Sequence, residues 1–397
     1  MALHEIVRDP YGILFKEQAA FKDVYGGETG TVFLECLRIR PRDRESKTVI
    51  VFSHPTGRGA WLPICTALAH AGFHVAFVGT RYAGSDHALI MEKCVVDLGE
   101  GIADLKKRFG YDQVILGGWS GGGSLSLYYQ EQALRPTVTA TPAGDPPDLT
   151  RATLPPADAV LLLAAHVSRS VTLTEWLDPS ITDETQPFKR DPAYDLYADP
   201  PAHRAPYAQH FLVLFRAAQV ARNRRITAWA EEQLAERVAA DGPGAELGFV
   251  VHGTMADPRW LDPAVDPNDR APGTCYLGDP KVVNMGPVGL ARFTTLRSWL
   301  SQWSFDRSMA NGLRNAVHVG VPVLVVSNTA DNACTPSHAS RLYTAVGHGD
   351  KTLVEVKGAT HYYAGQPQHL SQCVATCADW LAQRGFETIR LKGSLLP

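Results

Sequence analysis

No C-x-x-C pair occurs in this chain, and its seven cysteines are an odd number scattered over 397 residues. That pattern speaks against a disulfide framework and fits a reducing, cytoplasmic setting best. Cys373 and Cys377, one helical turn apart, are expected to pack in a core. The 14 histidines contain no H-E-x-x-H motif, so neither a metal nor another cofactor is expected. No apolar run approaches the length of a membrane span. Residues 1–10 lack the apolar stretch of a secretory leader. Charges nearly balance, with 38 Lys and Arg against 41 Asp and Glu and a net charge of -3. There is no basic excess to recruit nucleic acid or an acidic membrane. The expected partner is a small molecule, and oligomeric state is not legible.

What is present is the composition of an ordinary globular chain, 45% hydrophobic and 20% charged. The length is too great for one simple core, so one large domain with an insertion, or two domains, is expected. The organising stretch is Val114-Ile115-Leu116-Gly117-Gly118-Trp119-Ser120-Gly121-Gly122-Gly123-Ser124. Its apolar, partly β-branched start reads as a strand covered on both faces. Gly118-Trp119-Ser120-Gly121-Gly122 fits G-x-S-x-G, a sharp strand-to-helix turn with serine at its tip. The flanking glycines let the chain pass a strained residue. Gly121 N–H would open the first turn of the next helix, where the dipole favours negative charge.

Around that stretch, strands alternate with helices. Residues 1–30 read as a lead-in and 31–39 as a strand at a sheet edge. A buried strand at 47–53 precedes a helix at 61–71 closed by Gly72. A strand at 74–79 precedes a helix at 95–109 stopped by Gly110. The alternation indicates βαβ units and a parallel sheet. After a long loop at 135–156, residues 158–166 return to the sheet. Residues 168–316 break the pattern, with a helix at 207–239, a short strand at 247–252, a loop at 257–280 and an aromatic helix at 293–305. The basic run Arg222-Asn223-Arg224-Arg225 is expected on a solvated face or in charge pairs with Glu231, Glu232 and Glu236, rather than at an anion site. A strand at 321–327, a helix at 336–346, a strand at 352–356 and a helix at 370–383 complete the sheet region. The expected division is a core of residues 1–167 and 317–397 and a cap or lid of residues 168–316.

Ligands of open parallel sheets bind beyond the carboxyl ends of the strands. Ser120, Asp331 and His361 each follow such an end. A serine hydroxyl needs a base to take its proton, which His361 can do, and Asp331 can hold the imidazole in the right tautomer. His338, His348 and His369 are rivals to His361, and Asp306 and Asp350 are rivals to Asp331. All of these lie away from the matching strand ends.

The residues Ser53-His54-Pro55-Thr56-Gly57, Gly118-Trp119-Ser120-Gly121-Gly122, Asp331 and Gly358-Ala359-Thr360-His361 resemble those of the α/β-hydrolase fold superfamily. The likeness covers residues 31–134, 157–167 and 317–385. It implies an α/β fold: a mostly parallel central sheet with helices on both faces, plus a large, mainly helical cap insertion. It also implies a Ser120-Asp331-His361 triad and an oxyanion hole with Gly121 N–H as one donor. The family usually has His-Gly where this chain has His54-Pro55, and Pro55 has no N–H to give. The resemblance places the second donor at Thr56, with Gly57 and Arg58 as alternatives. His54, Arg58, Trp119 and Tyr362 are the expected substrate contacts. The implied activity is a serine hydrolase that cleaves a small to medium, largely apolar ester or lactone through an acyl-enzyme on Ser120. Hydrolysis of an amide or of a C–C bond beside a ketone stays open, as does a non-catalytic, ligand-binding member of the fold.

Overall fold

The computed structural model describes residues 4–17, 22, 24–59 and 62–386. Eight strands form one sheet: β1 (Ile6–Lys16), β2 (Thr31–Pro41), β3 (Thr48–Phe52), β4 (Val75–Val78), β5 (Gln113–Ser120), β6 (Ala159–Ala165), β9 (Val323–Asn328) and β10 (Lys351–Val356). Their order is β1-β2-β4-β3-β5-β6-β9-β10. The six strands from β4 to β10 run parallel, and β1 and β2 are antiparallel.

The central strands are apolar on both faces because both faces are covered. Alternate residues point to opposite sides. Val49, Val51, Val114, Leu116, Val160, Leu162, Val323 and Val325 join one cluster with helices α2 (Met91–Phe109), α3 (Gly121–Leu134) and α6 (Pro336–Ala345). Ile50, Phe52, Ile115, Leu161, Leu163, Leu324 and Val326 join the other with α1 (Pro63–Ala71) and α7 (Pro367–Ala382). Cys373 and Cys377 pack in that second cluster. The expected start of α1 at Trp61 lies outside the described residues, as do residues 1–3 of the lead-in and 387–397.

Two expectations for the N-terminal region are corrected. The lead-in contains β1, which pairs with β2 along eleven positions, so β2 is an inner strand and β1 is the edge. Arg8, Asp9 and Pro10 split the strand's apolar residues into the short pieces Ile6-Val7 and Ile13-Leu14-Phe15, of which only Ile13 is buried. Asp9 is held by Arg38 at 2.7 Å and Arg40 at 3.3 Å.

The chain between β6 and β9 carries α4 (Arg169–Trp176), α5 (Gln209–Asp241) and a small antiparallel pair of β7 (Gly248–Val250) and β8 (Phe293–Thr295). Leu173, Ile226, Ala230, Trp299 and Trp303 build a hydrophobic cluster of their own. The helix expected at 293–305 is instead β8, a short helix and a π-helical turn at Trp299–Trp303. Thr295 ends the strand by accepting Ser298 N–H, and the wider turn buries both tryptophans. The basic run is corrected in part: Arg224 and Arg225 are exposed as expected, and Arg222 is not. Arg222 is buried and donates to Glu184 at 2.6 Å and to the carbonyl oxygens of Asp178, His252 and Gly253. Arg224 pairs with Asp306 and Arg225 with Glu184. Among the described residues, no helix is long and apolar enough to cross a membrane.

Candidate active site

β5 delivers Ser120 to the carboxyl edge of the sheet, and α3 starts at the next residue. The β5–β6 register shifts at Trp119/Ser120, where the strand breaks into the turn. Ser120 has φ 49° and ψ -121°, a conformation that costs a side-chain-bearing residue about 1–3 kcal/mol. Close approach requires the glycines here. A Cβ on Gly122 would stand 2.2 Å from Ser53 O, and one on Gly118 2.6 Å from Gly123 Cα. The result is a serine backed by the N-terminus of a 14-residue helix whose first free N–H is Gly121's.

Asp331 lies just beyond β9 and is completely buried. Its Oδ1 accepts Ala333 N–H and Cys334 N–H, each at 2.7 Å. Its Oδ2 accepts from His361 Nδ1 at 2.7 Å. The carboxylate can only accept, so Nδ1 carries the proton and Nε2 keeps a free lone pair. His361 follows β10 and is 3% exposed. The loop bearing Asp331 is braced by the long segment. Trp260 Nε1–H donates to Asn332 O at 2.8 Å, and Thr329 Oγ1 donates to Asp269 at 2.6 Å.

Ser120 Oγ lies 3.8 Å from Cys334 Sγ, its one hydrogen-bonding contact among the described residues. Burial, reinforced by the neighbouring Asp331 charge, pushes the Cys334 thiol well above its ordinary range, so it stays protonated. Asp331, Cys334 and His361 present donor atoms within 4.8 Å of one another, the spacing of a metal cluster. Both Asp331 oxygens are already committed to N–H donors, however, and the thiol is not ionised, so the donor set does not suit a cation.

The structure places the remaining expected residues unevenly. Tyr362 is half exposed, with its ring 4.7 Å from that of His361. Trp119, expected to touch substrate, is 2% exposed and packs behind the imidazole at 5.6 Å, between Tyr362 and Tyr363. Arg58, also expected to touch substrate, lines a surface groove with Tyr11, Glu35 and Phe77. Thr56 N–H, expected in the oxyanion hole, donates to His54 Nδ1 at 3.2 Å, and Gly57 N–H does so at 2.8 Å. His54 therefore turns its Nε2 toward Gly121. Burial, with Arg169 and His361 adding to it, pushes the His54 imidazole down to about 3.

Three neighbours escaped the sequence reading. Cys334 is one. His166 directly follows β6, the same strand-end signal that marks Ser120, and could have been found by it. Its Nδ1 is buried without a partner, and burial holds the ring well below its ordinary range. Arg169 opens α4, buried, with its guanidinium over the Trp303 ring at 4.3 Å and on Asp86 at 3.0 Å. Rival residues have other work. Asp306 pairs with Arg224, Asp350 with Arg384, and buried His338 faces Arg259. His348 accepts Asp350 N–H, and His369 sits on α7.

The strand order and the placement of the Ser120 strand-to-helix turn, the nucleophile elbow, at the end of β5 are those of the α/β-hydrolase fold, which this chain adopts. No protein-family model matches it, and no curated protein does. Among solved structures it is similar to the esterase domain of a Rhodothermus marinus protein, with 11% identity, 94% of this chain and 98% of that chain covered, and a TM-score of 0.45. It is also similar to Est1E from Butyrivibrio proteoclasticus, with 12% identity, coverage of 89% and 95%, and a TM-score of 0.44. A thermophilic esterase from Thermogutta terrifontis shows 16% identity, coverage of 91% and 92%, and a TM-score of 0.41.

Proposed function

We propose that this chain is a carboxylic ester hydrolase with Ser120 as nucleophile, His361 as base and Asp331 as its partner. The observation that carries the reading is the buried 2.7 Å His361–Asp331 hydrogen bond beside a serine held at positive φ on a helix N-terminus. Ser120 Oγ swings from Cys334 toward His361 Nε2 as substrate binds, since such bonds are often long in free enzymes. Oγ then attacks the ester carbonyl carbon while Nε2 takes the hydroxyl proton. The tetrahedral oxyanion accepts Gly121 N–H. Collapse breaks the C–O bond, and His361 returns its proton to the departing alcohol. Water, giving its proton to His361 Nε2, then attacks the acyl carbon; the acyl C–Oγ bond breaks, His361 returns the proton to Ser120 Oγ, and the acid is released.

Residues 168–316 act as a cap over this site. The support is the bracing of the acid loop by Trp260 and the entry of Arg169 at the cap's first helix. The substrate is a small to medium, largely apolar ester or lactone, for which the half-exposed Tyr362 ring offers a wall beside His361.

The test is labelling by a fluorophosphonate with mapping of the modified peptide, together with p-nitrophenyl butyrate turnover. Wild type should be labelled on Ser120 and turn over the ester, and Ser120→Ala should do neither. A well-folded wild type that takes no label overturns the reading.

A further inference from the structure

The SHPTG turn is built around the His54 ring. Two backbone donors, Thr56 N–H at 3.2 Å and Gly57 N–H at 2.8 Å, point at Nδ1. An amide N–H can only donate, so Nδ1 is an acceptor and the neutral ring carries its proton on Nε2. Gly57 has to lack a side chain, because a Cβ there would stand 2.9 Å from the His54 ring. The turn thus commits the N–H groups of Thr56 and Gly57, two of the donors expected from the resemblance, to a side chain, and leaves that side chain's own N–H on Nε2.

The position of that N–H can be bounded. A Cβ on Gly121 would stand 2.8 Å from His54 Nε2. An amide nitrogen and the Cβ of its own residue are about 2.5 Å apart. His54 Nε2 and Gly121 N therefore lie within about 5.3 Å of each other. One oxygen accepting two hydrogen bonds of about 2.9 Å spans up to about 5.8 Å between its donors. The separation is within the span that one oxygen can bridge. His166 Nε2 is 3.1 Å from the same point, but its Nδ1 has no partner, so nothing fixes its proton.

We propose that His54 Nε2–H is the second donor of the oxyanion hole, locked in that tautomer by Thr56 and Gly57 N–H. The proposal rests on the ester hydrolase reading above. A neutral donor suits the role, and the ring's depressed basicity keeps it neutral across the working range. Burial, Arg169 and the facing His361 all act in that direction. Its hydrogen bond to the carbonyl oxygen strengthens as negative charge develops there, so its effect falls on kcat.

The experiment compares wild type, His54→Phe and His54→Gln on p-nitrophenyl butyrate, with a trifluoromethyl ketone as tetrahedral analogue. His54→Phe should lower kcat by roughly 10²–10³ with KM within about threefold, and should weaken the ketone by a similar factor. His54→Gln restores an N–H near Nε2 and should recover kcat by about tenfold over His54→Phe. Nitrogen-15 long-range spectra of wild type at neutral pH should show Nε2 protonated and Nδ1 bare. A kcat for folded His54→Phe within about threefold of wild type overturns the proposal, as does a spectrum with the proton on Nδ1. Either result leaves the hydrolase reading standing if Ser120 is labelled, whereas an unlabelled wild type removes the reading itself.

Discussion

Glu92→Gln should make the protein more stable at alkaline pH and leave it nearly unchanged at acid pH. Glu92 is completely buried in the first turn of α2. Its Oε2 accepts from Ser301 Oγ at 2.8 Å and its Oε1 from Tyr128 OH at 3.1 Å. Burial outweighs those hydrogen bonds and pushes the carboxyl up to about 7 from its ordinary 4.5. Between those values the folded chain holds a proton that the unfolded chain has released. Stability then falls as pH rises, because the native state binds more protons. Below about 4.5 both states are protonated and the cost is absent; above about 7 it is fully present, at about 3 kcal/mol. A glutamine never ionises, and the two hydroxyls can turn to suit its amide. Urea unfolding of both proteins from about pH 4 to pH 8.5 gives the difference, in which other titrating groups cancel. The variant should gain about 2–3 kcal/mol across this window. Parallel curves, or a wild type that gains on the variant as pH rises, would refute the reasoning. The outcome also bears on the segment between β6 and β9, because Ser301 Oγ accepts Met91 N–H at 2.8 Å and ties α2 to the Trp299–Trp303 turn.

Asp331→Asn should lower kcat by roughly 10⁴ with the fold intact, because one oxygen still accepts Ala333 and Cys334 N–H while the amide forces the wrong His361 tautomer. A kcat within tenfold of wild type, measured on p-nitrophenyl butyrate, would remove Asp331 from the proposed triad. Gly122→Ala places a methyl 2.2 Å from Ser53 O, a backbone atom that cannot yield alone. It should cost about 2–3 kcal/mol and most of the turnover, and an unshifted urea midpoint would contradict the close approach.

What the residues announce and what they conceal divides along physical lines. Buried parallel strands are continuous apolar runs, so the sheet, the elbow and the strand ends that present Asp331 and His361 were legible. β1 was not, because an edge strand half open to water tolerates Arg8, Asp9 and Pro10. Arg222 was misplaced on a solvated face because its partners are tertiary: Glu184 lies 38 residues away and the carbonyls come from other loops. The departure at His54-Pro55 is the instructive case. Read as a gap in a pattern, Pro55 only removes an N–H. Read as a turn, it fixes φ so that the chain doubles back, and the preceding side chain can accept the N–H groups two and three residues on. Aspartate and asparagine do the same in their turns, but they end there. An imidazole has a second nitrogen on its far side, so closing the turn at Nδ1 determines what Nε2 must be. The sequence His54-Pro55-Thr56-Gly57 therefore contains its own reason for glycine at the last position and for a proton facing Gly121. The missing backbone donor and the presence of a side-chain donor are one feature of the turn.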